Sequence, residues 1–131
     1  MKSPLHSDHA PQPIGPYTQA MRAGDFVFLS GQIGIDPAVG KITATGAADQ
    51  ATQALKNIRA ILTAAGLNAS HVVKTTIFLA SMDDFAKVND AYGEFFDEDP
   101  PARSTVAVAK LPMNALVEIE AIAMRRPGPT G

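Results

Sequence analysis

HVVKTTIFLASMDDFAKVNDAYGEFFDEDPPARSTVAVAK, residues 71–110, decides the fold class, because it reads as strand, helix, strand. Its first part, HVVKTTIFLA, is β-branched and aromatic, which suits a pleated strand. Ser81 then caps a helix, with Asp84 in the first turn, where a carboxylate favours the helix dipole. Phe85, Val88, Tyr92, Phe95 and Phe96 form the inward stripe of that helix. Gly93 weakens it by about 1 kcal/mol relative to alanine. DEDPP ends it, because Pro100 cannot continue a helix. The next strand is expected at about 103–110 and the last at about 115–125, joined by a turn containing Pro112 and Asn114.

Upstream lies a longer helix. Ala51, Ala54, Leu55, Ile58, Ile61, Leu62 and Ala65 make one apolar stripe at helical spacing, with Lys56, Asn57 and Arg59 off it. Thr45 is the expected N-cap, and Gly66 the expected left-handed stop. Before that helix, YTQAMRAGDFVFLSGQIGID gives two strands around the turn AGD. Phe26 and Phe28 alternate with Val27 and Leu29, so that strand reads as buried on both faces. DPAVGK is a turn. Residues 1–12 run extended, held out of helix by prolines. Residues 127–131 read as a loose tail.

The order is therefore β-β-α-β-α-β-β, an α+β domain with one mixed sheet and both helices on one face. No third helix remains to cover the other face, so sheet-against-sheet packing in a homo-oligomer is expected.

The chain has 131 residues, 46% of them hydrophobic, which suits a single domain with a modest core. A net charge of -2 argues against a general nucleic-acid binder. The absence of cysteine excludes disulfides, thiolate metal sites and cysteine nucleophiles. His6, His9 and His71 have no metal-ligand spacing. The start lacks the apolar core of a signal peptide, and the apolar runs are far too short to span a bilayer. A cytoplasmic protein is expected.

The chemistry sits in the last two strands. Arg103 and Thr105 share one face of the first, and Glu118 and Glu120 one face of the second. Paired as a hairpin, in one of two registers, the strands would put Arg103 on the glutamates' face; the sequence leaves the register open. One reading is a cross-strand ion pair at a sheet edge. The other is a polar pocket, in which Arg103 offers its planar fork to a carboxylate ligand and a buried glutamate supplies acid–base chemistry. Tyr17 follows a stiff Gly-Pro bend, and reads as either a core ring or a pocket wall. Ser30 and Gly31 end a strand, where glycine admits either a β-bulge or the close approach of a ligand to backbone N–H groups.

Taken together, IGPYTQA, FLSGQIGIDP, AADQATQALKNIRAILTAAGL, VVKTTIFLASMDDFAKVNDAYGEFF, PPARSTVAVAKLP and VEIEAIA resemble the RidA/YjgF family of imine deaminases. The resemblance implies a chorismate-mutase-like fold assembled as a homotrimeric barrel, with ligand clefts between subunits. By the same resemblance, Arg103 corresponds to the carboxylate-binding arginine and Glu118 to the catalytic glutamate. Tyr17, Ser30, Gly31, Asn89 and Thr105 correspond to substrate-binding positions. The implied reaction is hydrolysis of 2-imino acids, formed from enamines such as 2-aminoacrylate, to 2-keto acids and ammonia. It needs no metal or organic cofactor, since an iminium carbon is already electrophilic. Two rivals follow from the same family: a non-catalytic binder of small keto or imino acids, and an endoribonuclease or translation inhibitor. The chain departs from the family in two places. Thr105 stands where many members have cysteine, and the loop between Phe96 and Pro100 is shorter than in typical members.

Overall fold

The computed structural model describes residues 1–125. The expected tail at 127–131 lies outside them. The strands are β1 (Lys2–Leu5), β2 (Ala20–Ala23), β3 (Phe26–Ile33), β4 (Ile35–Asp36), β5 (Lys41–Ile42), β6 (Val72–Leu79), β7 (Ala102–Ala107) and β8 (Val117–Met124). The two α-helices are α1 (Ala47–Ala64) and α2 (Phe85–Phe95). Six strands form one mixed sheet in the order β1-β2-β3-β8-β6-β7, and β4 and β5 make a small separate hairpin. Only β6 and β7 are parallel. The expected order β-β-α-β-α-β-β is reproduced from β2 onward, with both helices on one face. The additions are β1 and the β4–β5 hairpin.

The core lies between α1, α2 and one face of the sheet. Val27, Leu29, Ile77, Leu79, Val117, Ile119 and Ala123 from the sheet meet Leu55, Ile58, Ile61 and Leu62 from α1, all of them buried. The periodicity of α1 fixes that contact, since its apolar stripe is the face the sheet covers. Its C-terminus is closed as expected. Gly66 adopts φ 76°, Leu67 N donates to Leu62 O at 2.8 Å, and Gly66 N donates to Thr63 O at 3.0 Å. Its N-cap is Gly46 rather than Thr45, with no side-chain cap bond. Gly46 O itself accepts from Gln50 N at 3.0 Å, so the helix begins one residue later than the threonine predicts.

Three further points bear on the expectations, the first as a correction. First, β7 and β8 do not form a hairpin: β6 lies between them, parallel to β7 and antiparallel to β8. Alternate residues of β8 are almost wholly buried, which demands a central place between β3 and β6, whereas half-exposed β7 suits an edge. Second, the proline-rich start is extended at Lys2–Leu5 as expected, and there it also pairs with β2 as the opposite edge strand. Pro4 is tolerated there because an edge strand has one row of unpaired groups. Third, within one chain β3 is buried on one face only: Val27 and Leu29 are buried, and Phe26 and Phe28 are 40% and 44% exposed. They belong to the sheet face that no helix of this chain covers.

One end of that second face has its own small core. Ile33, Ile35, Leu111 and Ala115 are buried there, with Phe78 packed against them. The end of β3 is held from the helix side as well. Asn57, 1% exposed, donates to the carbonyls of Ile33 and Ile35 at 3.3 and 2.9 Å. A Cβ on Gly34 would fall 2.8 Å from the backbone oxygen of Gln50, so only glycine allows this approach of chain to helix. These contacts fix the backbone beside Gly31 and Glu118.

Candidate functional site

Glu118 lies on β8, facing away from the helices. It sits opposite Ile33 on one neighbouring strand and Phe78 on the other. Between Leu29 and Gln32 the β3–β8 register slips by one residue, so Ser30 and Gly31 together oppose Glu120. The bulge brings Gly31 against Glu118: a Cβ there would lie 2.8 Å from the carboxyl carbon. Of the two sequence readings of Gly31, the β-bulge is present, and the close approach seen in the structure is made by a side chain of the same chain. The group approaching is the Glu118 side chain.

Tyr17 completes this corner. It lines, with Gly31, Gln32, Ile33, Pro112 and Glu118, a cavity of about 40 Å³. Tyr17 is 46% exposed, so it is not a core ring. Its hydroxyl accepts from Ile14 N at 3.3 Å, and its own N–H donates to Gly15 O at 2.8 Å, which ties the ring to the Gly-Pro bend. The cavity is large enough for water, since a single water needs only about 10–15 Å³, but it is small for an organic acid. Ser30 is committed to the scaffold: its hydroxyl donates to Thr18 O at 2.6 Å.

Burial, and after it the charge of Glu120, holds the Glu118 carboxyl above the usual range for glutamate. The fold thus favours the protonated form. Stability from this group is fully present below the unfolded-state pKa and is lost as pH rises through the folded value. Glu118→Gln should remove this component, so that the melting temperature of the variant gains on wild type as pH rises from 4 through neutrality. Thermal scans at fixed protein concentration across pH check it; a constant difference would contradict the burial argument.

Arg103 is elsewhere. It pairs in register with Thr75, whose side chain faces α2, so Arg103 is on the helix side of the sheet and Glu118 on the other. The hairpin that would have allowed them one face in a single chain is not formed, because β6 lies between their strands. The guanidinium of Arg103 stacks on two rings of α2, 4.9 Å from the centre of Tyr92 and 5.6 Å from that of Phe85. Burial raises the Tyr92 phenol above its ordinary range, opposed by its hydrogen bond with Thr75 and by the Arg103 charge. Asn89 lies between Phe85 and Tyr92 on α2, at helical spacing that puts the three on one side. Thr105 Oγ1 is buried and has no hydrogen-bond partner among the described residues. An unpaired buried hydroxyl costs roughly 1–3 kcal/mol, which is uncommon at a purely structural position.

The candidate residues thus fall into two separate groups, two candidate half-sites. One is Tyr17, Gly31 and Glu118, with Ser30 behind them; the other is Arg103 and Thr105 on the β7 edge, with Asn89 on the adjoining helix. Gln19 was not legible as part of this region. It is 2% exposed, accepts from Ser7 N at 2.6 Å and donates to Ser7 O at 3.0 Å and Pro11 O at 2.9 Å. It pins the proline-rich segment that forms one wall of the Tyr17 cavity, and no sequence pattern marks a single buried glutamine. Among the described residues no cluster of histidine and carboxylate side chains is placed to hold a metal, and no helix is long and apolar enough to cross a membrane.

Comparison with known proteins agrees with this architecture. A RutC family protein of Pyrococcus horikoshii is 50% identical over 125 residues, covering 95% of this chain and 99% of the relative. A Mus musculus protein named 2-iminobutanoate/2-iminopropanoate deaminase is 46% identical over 123 residues, covering 94% and 91%. The crystal structure of E. coli TdcF with bound serine superposes with a TM-score of 0.91 at 43% identity, covering 95% of this chain and 99% of that one. The model of the family described as endoribonuclease L-PSP matches residues 7–125. The chain belongs to that family, the RidA/YjgF family that its motifs resemble.

Proposed function

We propose that this protein hydrolyses small 2-imino acids to 2-keto acids and ammonia, in clefts formed between copies of the chain in a homotrimer. The observation that carries the reading is the Glu118 carboxyl, biased toward its protonated form and held against Gly31 beside a water-sized cavity. The mouse relative named as a deaminase and the serine in TdcF both favour a small amino-acid-like substrate. The two half-sites face opposite ways in one chain, so a cleft using both draws Arg103 from one copy and Glu118 from another. The uncovered sheet face, with Phe26 and Phe28 exposed, supplies apolar surface for that association.

In such a cleft Arg103 binds the substrate carboxylate through two parallel hydrogen bonds and fixes the imine carbon. The protonated Glu118 carboxyl gives its proton to the imine nitrogen, water adds to the carbon, and the carboxylate so formed takes up the surplus proton of that water. The carbinolamine then collapses: Glu118 protonates the amino nitrogen, the C–N bond breaks, ammonia leaves, and the hydroxyl passes its proton back to Glu118 and becomes the keto group. Tyr17 and the Thr105 hydroxyl orient water and the reacting nitrogen.

Freshly generated 2-iminobutanoate should yield 2-ketobutanoate and ammonia faster with the protein than in buffer. An unchanged rate would remove the deaminase reading and leave a non-catalytic binder. The family description favours a second reading, RNA cleavage. The net charge of -2 opposes it, and incubation with RNA beside the Arg103→Ala variant discriminates the two.

A further inference from the structure

A second cleft lies on the helix side of the molecule, between the N-terminal segment and α1. His6, Asp8, His9, Lys56, Arg59 and Ala60 line it, and its volume is about 480 Å³. That is within the range of about 300–1,000 Å³ typical of small-molecule sites. Its wall is held in place, because the buried Gln19 amide is hydrogen-bonded to both the N–H and the carbonyl of Ser7.

The lining is unusual for a chain of net charge -2. Lys56 and Arg59 are three residues apart, which puts them on one side of α1. Neither makes an ion pair or a hydrogen bond with any described residue. Arg59 is instead oriented by stacking on the Phe95 ring, 4.8 Å from its centre. The sole carboxylate of the lining, Asp8, is engaged by the ring of His6 at 2.9 Å. The His9 ring has no partner among the described residues. The other hollow that Lys56 and Arg59 border carries Glu94, which is not within ion-pair distance of either. Ala60 and Ala64 give the first cleft an apolar floor.

From this arrangement we infer that the cleft between the N-terminal segment and α1 binds a small organic phosphomonoester. Its phosphate sits between Lys56 and Arg59, and its organic part lies over the alanine floor. A phosphate carries close to two charges and three acceptor oxygens. It therefore uses both the fork of Arg59 and the point charge of Lys56, where a lone carboxylate engages one of them. The inference is independent of the deaminase reading, because it shares no residue with either half-site.

The test uses the full chain carrying Arg103→Ala, so that the arginine of the proposed deaminase cleft takes no anion. Adenosine 5′-monophosphate and inorganic phosphate are titrated separately, followed by amide chemical shifts. Expected is saturable binding of the nucleotide, tighter than that of inorganic phosphate, with shifts confined to residues 6–9 and 56–64. Adding Lys56→Gln and Arg59→Gln should weaken it at least about tenfold, as loss of charge-assisted hydrogen bonds requires. Both residues are exposed, so the fold stays intact. The same pair of substitutions on wild-type Arg103 should leave imino-acid turnover unchanged. The inference is overturned by absence of saturable nucleotide binding, or by binding indifferent to the two substitutions. Affinity no better than for inorganic phosphate, or binding only of oligoribonucleotides, overturns it equally.

Discussion

Arg103→Ala is expected to abolish deamination of 2-iminobutanoate while leaving the assembly intact. Losing one partner of a desolvated, hydrogen-bonded charge pair costs about 2–5 kcal/mol. In kcat/KM that corresponds to roughly 30- to 5,000-fold, by the usual conversion of barrier height to rate. The structural cost is smaller. Arg103 is half-buried on an edge strand, and its recorded contacts are stacking on Tyr92 and Phe85. Such stacking is worth about 0.5–1 kcal/mol at exposed sites. Size-exclusion elution and melting temperature should therefore change little while turnover collapses. Arg103→Lys should fall between, because lysine keeps the charge and loses the planar fork. Full activity in Arg103→Ala would remove the anchor of the mechanism.

Glu118→Gln is expected to lower kcat by about 10²–10⁴-fold, the usual contribution of a positioned acid or base. Glutamine matches the carboxyl in shape and keeps the tight fit against Gly31, but neither accepts nor returns a proton. Affinity for a carboxylate product analogue should change much less, since the carboxylate is assigned to Arg103. Parallel losses in turnover and affinity would reduce Glu118 to a binding role. The raised pKa fits the task, because a carboxyl moved upward toward neutrality exchanges a proton more readily than one fully ionised in water.

The sequence was most legible where the chemistry is local. The α1 stripe, the Gly66 stop and the end of α2 follow from spacing and backbone restriction within a few residues. It was less legible where a strand had to choose a partner. Arg103 and Glu118 stand on neighbouring strands in sequence, yet β8 inserts beside β3 because the burial of Val117, Ile119, Ala121 and Ala123 demands a central position. No local rule sets that preference against the short turn that favours a hairpin. Of the candidate site residues named from their types and pattern, the structure brings Tyr17, Gly31 and Glu118 together and leaves Arg103 and Thr105 apart from them. The opposed faces of Arg103 and Glu118 emerge only from the strand order. Under the proposed function, that same feature is the reason a cleft using both residues needs a second copy.

The central claim is that one cleft takes Arg103 from one copy and Glu118 from another, and mixing two inactive proteins tests it most directly. Arg103→Ala and Glu118→Gln chains are co-refolded in equal amounts, and keto-acid release from 2-iminobutanoate is measured. In a closed ring with head-to-tail interfaces, about a quarter of the clefts then receive both intact residues, so about a quarter of wild-type activity should return. Activity no greater than that of the two variants assayed separately, with mixed assemblies demonstrated by mass, would contradict the shared cleft.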